Sequence, residues 1–393
     1  MNKFYKSIIG VFVLLLLVTT GYGVYAYKTR VIDDTDYSTL FTEDEEKFVY
    51  QAEIEYIYEE ERISFSDSVE EHLSQMTLED KINMMIMMDY DKALENGLVG
   101  TDENGFGTLN TGLGALVYHR NNIESQIQIR SLISDLDYDY RMYYVTEPLN
   151  ILSSTPDDYY PIDEIYGLTD LVTPSQMGKS YEASDVSNDI LSRSSELKYL
   201  GFNAIEAPFC NVDNSPVSFG TNPVYDTEYV EAAIETYSQN DIVNIASTFP
   251  YRTYRETSFD DLSASDLMVF QQAIDSNVPM ISVSTDPCFA ITGSRTLPTV
   301  MSKKTIDLLR ARMGFNGVVV TDSLTDIDLK EEVSNETLLI ETVKSGVDMI
   351  YNPKDYNNAL TIISEAVERG DIPVNRIDNA VGRILTVKEN LLP

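Results

Sequence analysis

From residue 70 onward, short apolar runs ending in polar residues alternate with longer stretches whose apolar positions recur at helical spacing. The runs are "INMMIMMDY" (82–90), "GALVYH" (114–119), "RMYYVTE" (141–147), "FNAIEAP" (202–208), "IVNIASTFP" (242–250), "VPMISVSTD" (278–286), "GVVVTDS" (317–323) and "VDMIYNP" (347–353). Helical patterning falls between them, at Ile123–Leu136, Ala183–Leu200, Thr227–Asn240, Ser263–Ser276, Lys303–Met313 and Glu336–Ser345. In "SKKTIDLLRARMGF", Ser302 is placed to cap, Ile306, Leu309 and Met313 share a face, and Gly314 stops the helix. Strands buried on both faces read as continuous apolar runs, the mark of a parallel sheet. Eight of them alternating with helices predict an α/β fold, a (β/α)8 TIM-type barrel over residues 70–393 in preference to an open doubly wound sheet.

Two segments precede that rhythm. Lys3 and Lys6 stand before an uncharged stretch from Ser7 to Tyr27, close to the ~20 residues that cross a bilayer. Tyr22, Tyr25 and Tyr27 suit an interfacial aromatic belt, whereas Val24 and Ala26 would suit signal cleavage. Residues 1–27 are therefore read as a membrane anchor or a signal segment, with an anchor favoured. Residues 28–69 are read as an acidic, Tyr-rich spacer. The barrel is expected outside the cytoplasm, held at the cell membrane by a single pass, or secreted if the segment is cleaved.

Composition narrows the chemistry. Asp and Glu total 64 against 28 Lys and Arg, a formal charge of -36, which repels phosphate backbones and argues against nucleic acid as a partner. Two cysteines, Cys210 and Cys288, cannot build a disulfide framework and are read as buried thiols. The two histidines, His72 and His119, lie apart with no Cys or His cluster, so neither a metal site nor a cofactor is expected.

In a barrel, chemistry sits at the C-terminal ends of the strands. The runs place Asp89, His119, Thr146, Glu147, Asn211, Ser247, Thr248, Ser284, Asp286, Asp322 and Asn352 there. Carboxylates and small hydroxyls without a cationic clamp suit polyols and sugars better than phosphorylated substrates. Asp322, which closes the valine run of "GVVVTDSL", is the sharpest candidate. It reads equally as a nucleophilic carboxylate at the mouth or as a cap for the next helix.

Several stretches carry a family resemblance. "MTLEDKINMM" (76–85), "ELKYLGFNAIEAPFCNV" (196–212), "LSASDLMVFQQAIDSNVPMISVS" (262–284), "LPTVMSKKTIDLLRARMGFNGVVVTDSL" (297–324) and "AVERGDIPVNRIDNAVGRILTVKENL" (366–391) occur in order. Together they make residues 70 to 393 resemble glycoside hydrolase family 3, in particular its single-barrel bacterial β-N-acetylglucosaminidases. The resemblance implies a retaining β-glycosidase scaffold with Asp322 at the nucleophile position.

At the other positions the chain departs from the pattern. The family's sugar-binding Asp falls on Thr146, a second Asp on Asn211, and the Arg before Ser218-Phe219 on Val217. Its Lys-His pair falls on Ser247-Thr248 and a further His on Ser284. The loop that carries the family's proton donor reads "RTYRETSFDD" (252–261), with Phe259 or Asp260 at the His position. Glu256, Asp260 and Asp286 are candidates for a substitute acid. The expectation is a catalytically degenerate barrel that binds a glycan or a protein partner, with a cell-wall amino sugar the default ligand. The alternative is an active retaining β-N-acetylglucosaminidase or β-glycosidase that uses Asp322 with a non-standard acid.

Overall fold

The computed structural model describes residues 61–390, except 102–106, 145, 155–171, 181, 251–256, 326 and 328–332. The leading apolar segment and most of the acidic spacer fall outside the described residues. Among the described residues, no helix is long and apolar enough to cross a membrane.

Eight parallel strands form the barrel: β1 (Ile86–Asp89), β2 (Ala115–Tyr118), β3 (Leu149–Leu152), β4 (Ala204–Ile205), β5 (Val243–Phe249), β6 (Met280–Val283), β7 (Val318–Thr321) and β8 (Ile350–Tyr351). Each pairs with its neighbour in sequence, and β8 returns to β1 with Ile86 opposite Ile350 and Met87 opposite Tyr351. The last seam, β7 to β8, closes through one bridge, Val320 to Met349, and a hydrogen bond from Thr321 N–H to the Met349 carbonyl at 3.1 Å. A small antiparallel hairpin, Val99–Thr101 with Gly107–Leu109, occupies the connection between β1 and β2.

Local chemistry sets the helix ends. The side chains of Ser66, Thr77, Ser125, Asn222, Ser334 and Asp355 each accept a first-turn backbone N–H, which satisfies donors that the helix itself leaves unpaired. Gly201, Gly346 and Gly370 end helices at positive φ, where glycine carries no Cβ penalty. Gly114, just before β2, is required for a different reason. A Cβ there would lie 2.0 Å from the Met84 carbonyl oxygen, so any side chain would push β2 away from the segment entering β1.

One expected strand is displaced. "RMYYVTE" (141–147) is not a strand; the helix Gln126–Tyr143 runs through its first half. Ile129, Ile133, Leu136 and Tyr140 form one buried stripe, so helical periodicity overrides the aromatic content that suggested a strand. The third strand is "LNIL", Leu149–Leu152. Thr146 and Glu147 therefore enter that strand at the barrel base instead of leaving it at the mouth.

The base is rich in buried ions. Asp348, just before β8 and fully buried, accepts from Arg310 at 2.5 Å, from Arg383 at 3.0 Å, from Arg376 and from the Val319 N–H. Lys388 donates to the Glu147 carbonyl at 2.7 Å, and burial pulls its pKa down to about 7. Nearby, burial pushes Asp137 up to about 6, against the pull of its hydrogen bond from Asn150.

Candidate functional site

Asp322 follows the last residue of β7, half-buried, with its N–H donating to the Val283 carbonyl of β6 at 2.8 Å. Strand geometry alone thus delivers this carboxylate to the mouth. The first described helix after β7 is Asn335–Ser345, and Ser334 caps it. Among the described residues, then, no helix begins directly after Asp322, which stands at the mouth end of β7.

The wall formed by β4, β5 and β6 carries the positions where the resemblance places sugar-gripping cations and acids. Asn211 is 2% exposed and its Nδ2 donates to Ser215 at 3.2 Å. Val217 is 3% exposed. Ser247, 0% exposed, has its Oγ 3.0 Å from Ser282 Oγ. Ser284, 1% exposed, accepts from the Asp286 N–H at 3.0 Å through its Oγ. Thr248 is half-buried, and the peptide joining it to Ser247 is cis. The side chains on this wall are small; the Ser247 and Ser284 hydroxyls and Asn211 Nδ2 bond within the protein, while the buried Asn211 Oδ1 has no partner.

The substitute-acid candidates separate. Asp286 lies half-buried in the segment after β6, next to the β7 end that carries Asp322. Asp260 is exposed in the first turn of the short helix Phe259–Ser263. Glu256 lies outside the described residues. Thr146 is at the opposite end of the barrel, so the structure does not bring it to Asp322.

The opposite wall, β8–β1–β2, is denser in polar contacts. Asp89, the last residue of β1, accepts on Oδ1 from Tyr351 and pairs there with His119 Nε2 at 2.9 Å. Its Oδ2 accepts from Asn352 Nδ2 at 2.8 Å and lies 3.6 Å from Lys92 Nζ. Burial alone would raise the pKa of Asp89, but the hydrogen bonds from His119 and Tyr351 hold it below the usual carboxylate value. Asn352 Nδ2 also reaches Ser323 Oγ at 3.4 Å, which ties this cluster to the residue beside Asp322. Strand-end reasoning found Asp89, His119 and Asn352 one by one; it missed Lys92, Tyr351 and the convergence. The available signal was ring adjacency, since β8, β1 and β2 are neighbours in any closed eight-stranded barrel.

Behind β4 sits a second set of acids. Asp226 is buried, with Oδ2 unpartnered, and burial followed by the charges of Asp266 and Asp213 pushes its pKa up to about 7. A raised carboxylate pKa favours the protonated fold, so this contribution is complete below about pH 4 and is lost as pH rises through about 7. Asp226→Asn is expected to stabilise the protein at pH 8 by about 1–3 kcal/mol. The gain should shrink toward zero by about pH 4–5, as thermal melts across that range would record. Among the described residues no group of His, Cys, Asp and Glu is arranged to hold a metal. Cys210 and Cys288 are buried free thiols, with burial raising the pKa of both, Cys288 to about 11.

Comparison with known proteins agrees with this geometry. The family model described as "Glycosyl hydrolase family 3 N terminal domain" matches residues 77–387. A β-N-acetylglucosaminidase/β-glucosidase of Cellulomonas fimi is 34% identical over 96 residues, which cover 24% of this chain and only 17% of that protein. The β-hexosaminidase LpqI of Mycobacterium tuberculosis is 21% identical over 268 residues, covering 61% of this chain and 69% of its own. Among solved structures, a glycoside hydrolase family 3 β-N-acetylglucosaminidase of Paenibacillus sp. superposes with TM-score 0.67 at 23% identity. That match covers 80% of this chain and 63% of the other.

Proposed function

The chain belongs to glycosyl hydrolase family 3, and from there we propose that it is an exported, membrane-tethered member that binds a cell-surface amino-sugar glycan without hydrolysing it. One observation carries the loss of hydrolysis. Asn211, Val217, Ser247 and Ser284, which stand where the family pattern has acids and cations, are all buried. The Ser247 and Ser284 hydroxyls and Asn211 Nδ2 bond within the protein, Asn211 Oδ1 has no partner, and Val217 offers no polar group. A hidden hydroxyl cannot replace a lysine that reaches for a sugar.

An amino-sugar ligand is supported by the relatives, which are named as β-hexosaminidases and β-N-acetylglucosaminidases. The tether is supported by the uncharged stretch Ser7–Tyr27 behind Lys3 and Lys6. Asp322 alone favours the rival reading, an active retaining glycosidase with a non-standard acid such as Asp286. The two separate in one experiment. The purified protein should release no aryl alcohol from aryl β-N-acetylglucosaminide or β-glucoside above the Asp322→Ala background, while calorimetry detects binding of chitooligosaccharides. Turnover that disappears in Asp322→Ala would establish the rival instead.

A further inference from the structure

Asp89 is the hub of a cluster that the resemblance does not assign. It gathers side chains from three consecutive strand ends around the ring. Both of its oxygens are filled, by His119 and Tyr351 on one and by Asn352 and Lys92 on the other. A carboxylate so occupied has little capacity left for a ligand, but it fixes the direction of every donor around it. Lys92 also donates to Thr325 Oγ1 at 2.6 Å, and Thr325 in turn donates to the Asn352 carbonyl at 3.2 Å. An ammonium has three hydrogens. With Asp89 and Thr325 engaging two, Lys92 retains one, and its side chain is 30% exposed. Ser323 Oγ accepts from Asn352 Nδ2 and from the Thr325 N–H, both at 3.4 Å, which leaves its own hydrogen to donate. Ser323 is half-buried and adjoins Asp322.

The cluster therefore offers oriented donors, one of them cationic, beside a mouth carboxylate that accepts. That pairing of donors and acceptor suits the vicinal hydroxyls of a saccharide. It also stands across the mouth from the wall whose side chains have turned inward.

We propose that the saccharide grip of this barrel has moved to the β8–β1–β2 wall, where Asp89, braced by His119, positions Lys92 and holds Asn352 against Ser323, so that Lys92 and Ser323 hold the hydroxyls of a bound sugar. This rests on the glycan-binding reading above. Asp89, His119 and Asn352 act as positioning residues, and contact with the ligand is assigned to Lys92 and Ser323.

The test is calorimetric titration of the whole chain with chitooligosaccharides, each variant paired with a thermal melt. Lys92→Met should weaken binding about 10- to 100-fold, the range of one charged hydrogen bond, with the melting temperature unchanged. Lys92→Arg should retain most of the affinity, and Ser323→Ala should lose about fivefold or more, a neutral hydrogen bond. If Lys92→Met lowers the melting temperature and leaves affinity intact, the cluster only locks the fold and the proposal is overturned. It is likewise overturned if Thr248→Ala on the other wall costs affinity while Lys92→Met does not. Wild-type protein that binds no saccharide would instead overturn the parent reading, an outcome distinct from binding that ignores Lys92.

Discussion

Asp348→Ala should cost at least about 3–5 kcal/mol of stability, enough to leave most of the chain unfolded or insoluble at 37 °C. The cause is three guanidiniums converging on one fully buried carboxylate. Burial lowers the pKa of Arg310 to about 10, the nearby Arg383 and Arg376 push the same way, and Asp348 opposes them. Asp348 itself is held below the ordinary carboxylate value by those arginines, despite the desolvation that would raise it. Removing it leaves like charges facing one another with little access to water, and the Val319 N–H of β7 loses its acceptor. Asp348→Asn keeps the shape and not the charge, so it should be nearly as damaging. Urea denaturation monitored by circular dichroism would measure both. A change under about 1 kcal/mol would show that solvent reaches the cluster.

The pH dependence of the fold should then have opposing contributions. The Asp348 contribution, from a depressed pKa, is present above the unfolded value near 4 and is lost only as pH falls through the lower folded value. Asp226 and Asp137, with raised pKa values, add stability as pH drops from about 7 toward 4. Their sum places the most stable range on the mildly acidic side of neutrality.

The second large effect is on rate. Hydrolysis of an aryl β-N-acetylglucosaminide should fall at least about 10⁴-fold below that of a barrel with a full set of sugar-binding and acid groups. Loss of a positioned acid alone accounts for roughly 10²–10⁴ in rate. Each missing charged hydrogen bond removes about 1.5–3 kcal/mol more, together with the orientation that makes attack productive. Asn211, Ser247 and Ser284 cannot supply those bonds from buried positions. Asp286 is the described acid best placed to contradict this, because it follows β6 next to the strand that ends at Asp322. Steady-state assays on wild type, Asp286→Asn and Asp322→Ala would give three indistinguishable traces if no acid has been recruited.

Much of this molecule could be read from its sequence where one physical signal dominated. "GVVVT" is a strand because valines buried on both faces leave no other option in a parallel ring. The helix Ala183–Leu200 was legible because Gly201 stops it at positive φ. The third strand was not, because Tyr140 extends the buried stripe of the preceding helix and hides a strand of only four residues. That single shift moved Thr146 from the mouth to the base. Asp322 was visible because it ends an apolar run. The Asp89 cluster was not, because Tyr351 lies 262 residues away and meets Asp89 only when β8 closes on β1. The ion cluster of Asp348 was hidden for the same reason, its arginines coming from two separate helical segments.

Whether Asp322 still forms a bond to sugar can be settled by intact-mass spectrometry after incubation with an activated fluoro-sugar β-N-acetylglucosaminide, a reagent that halts retaining enzymes at the glycosyl ester. The leaving group of such a reagent needs no proton donor, so the outcome reports on Asp322 and on the groups that hold the sugar. If those groups have been lost, as proposed, the protein should keep its unmodified mass after hours. A stoichiometric sugar adduct formed within minutes, and absent from Asp322→Ala, would contradict the loss of catalysis outright.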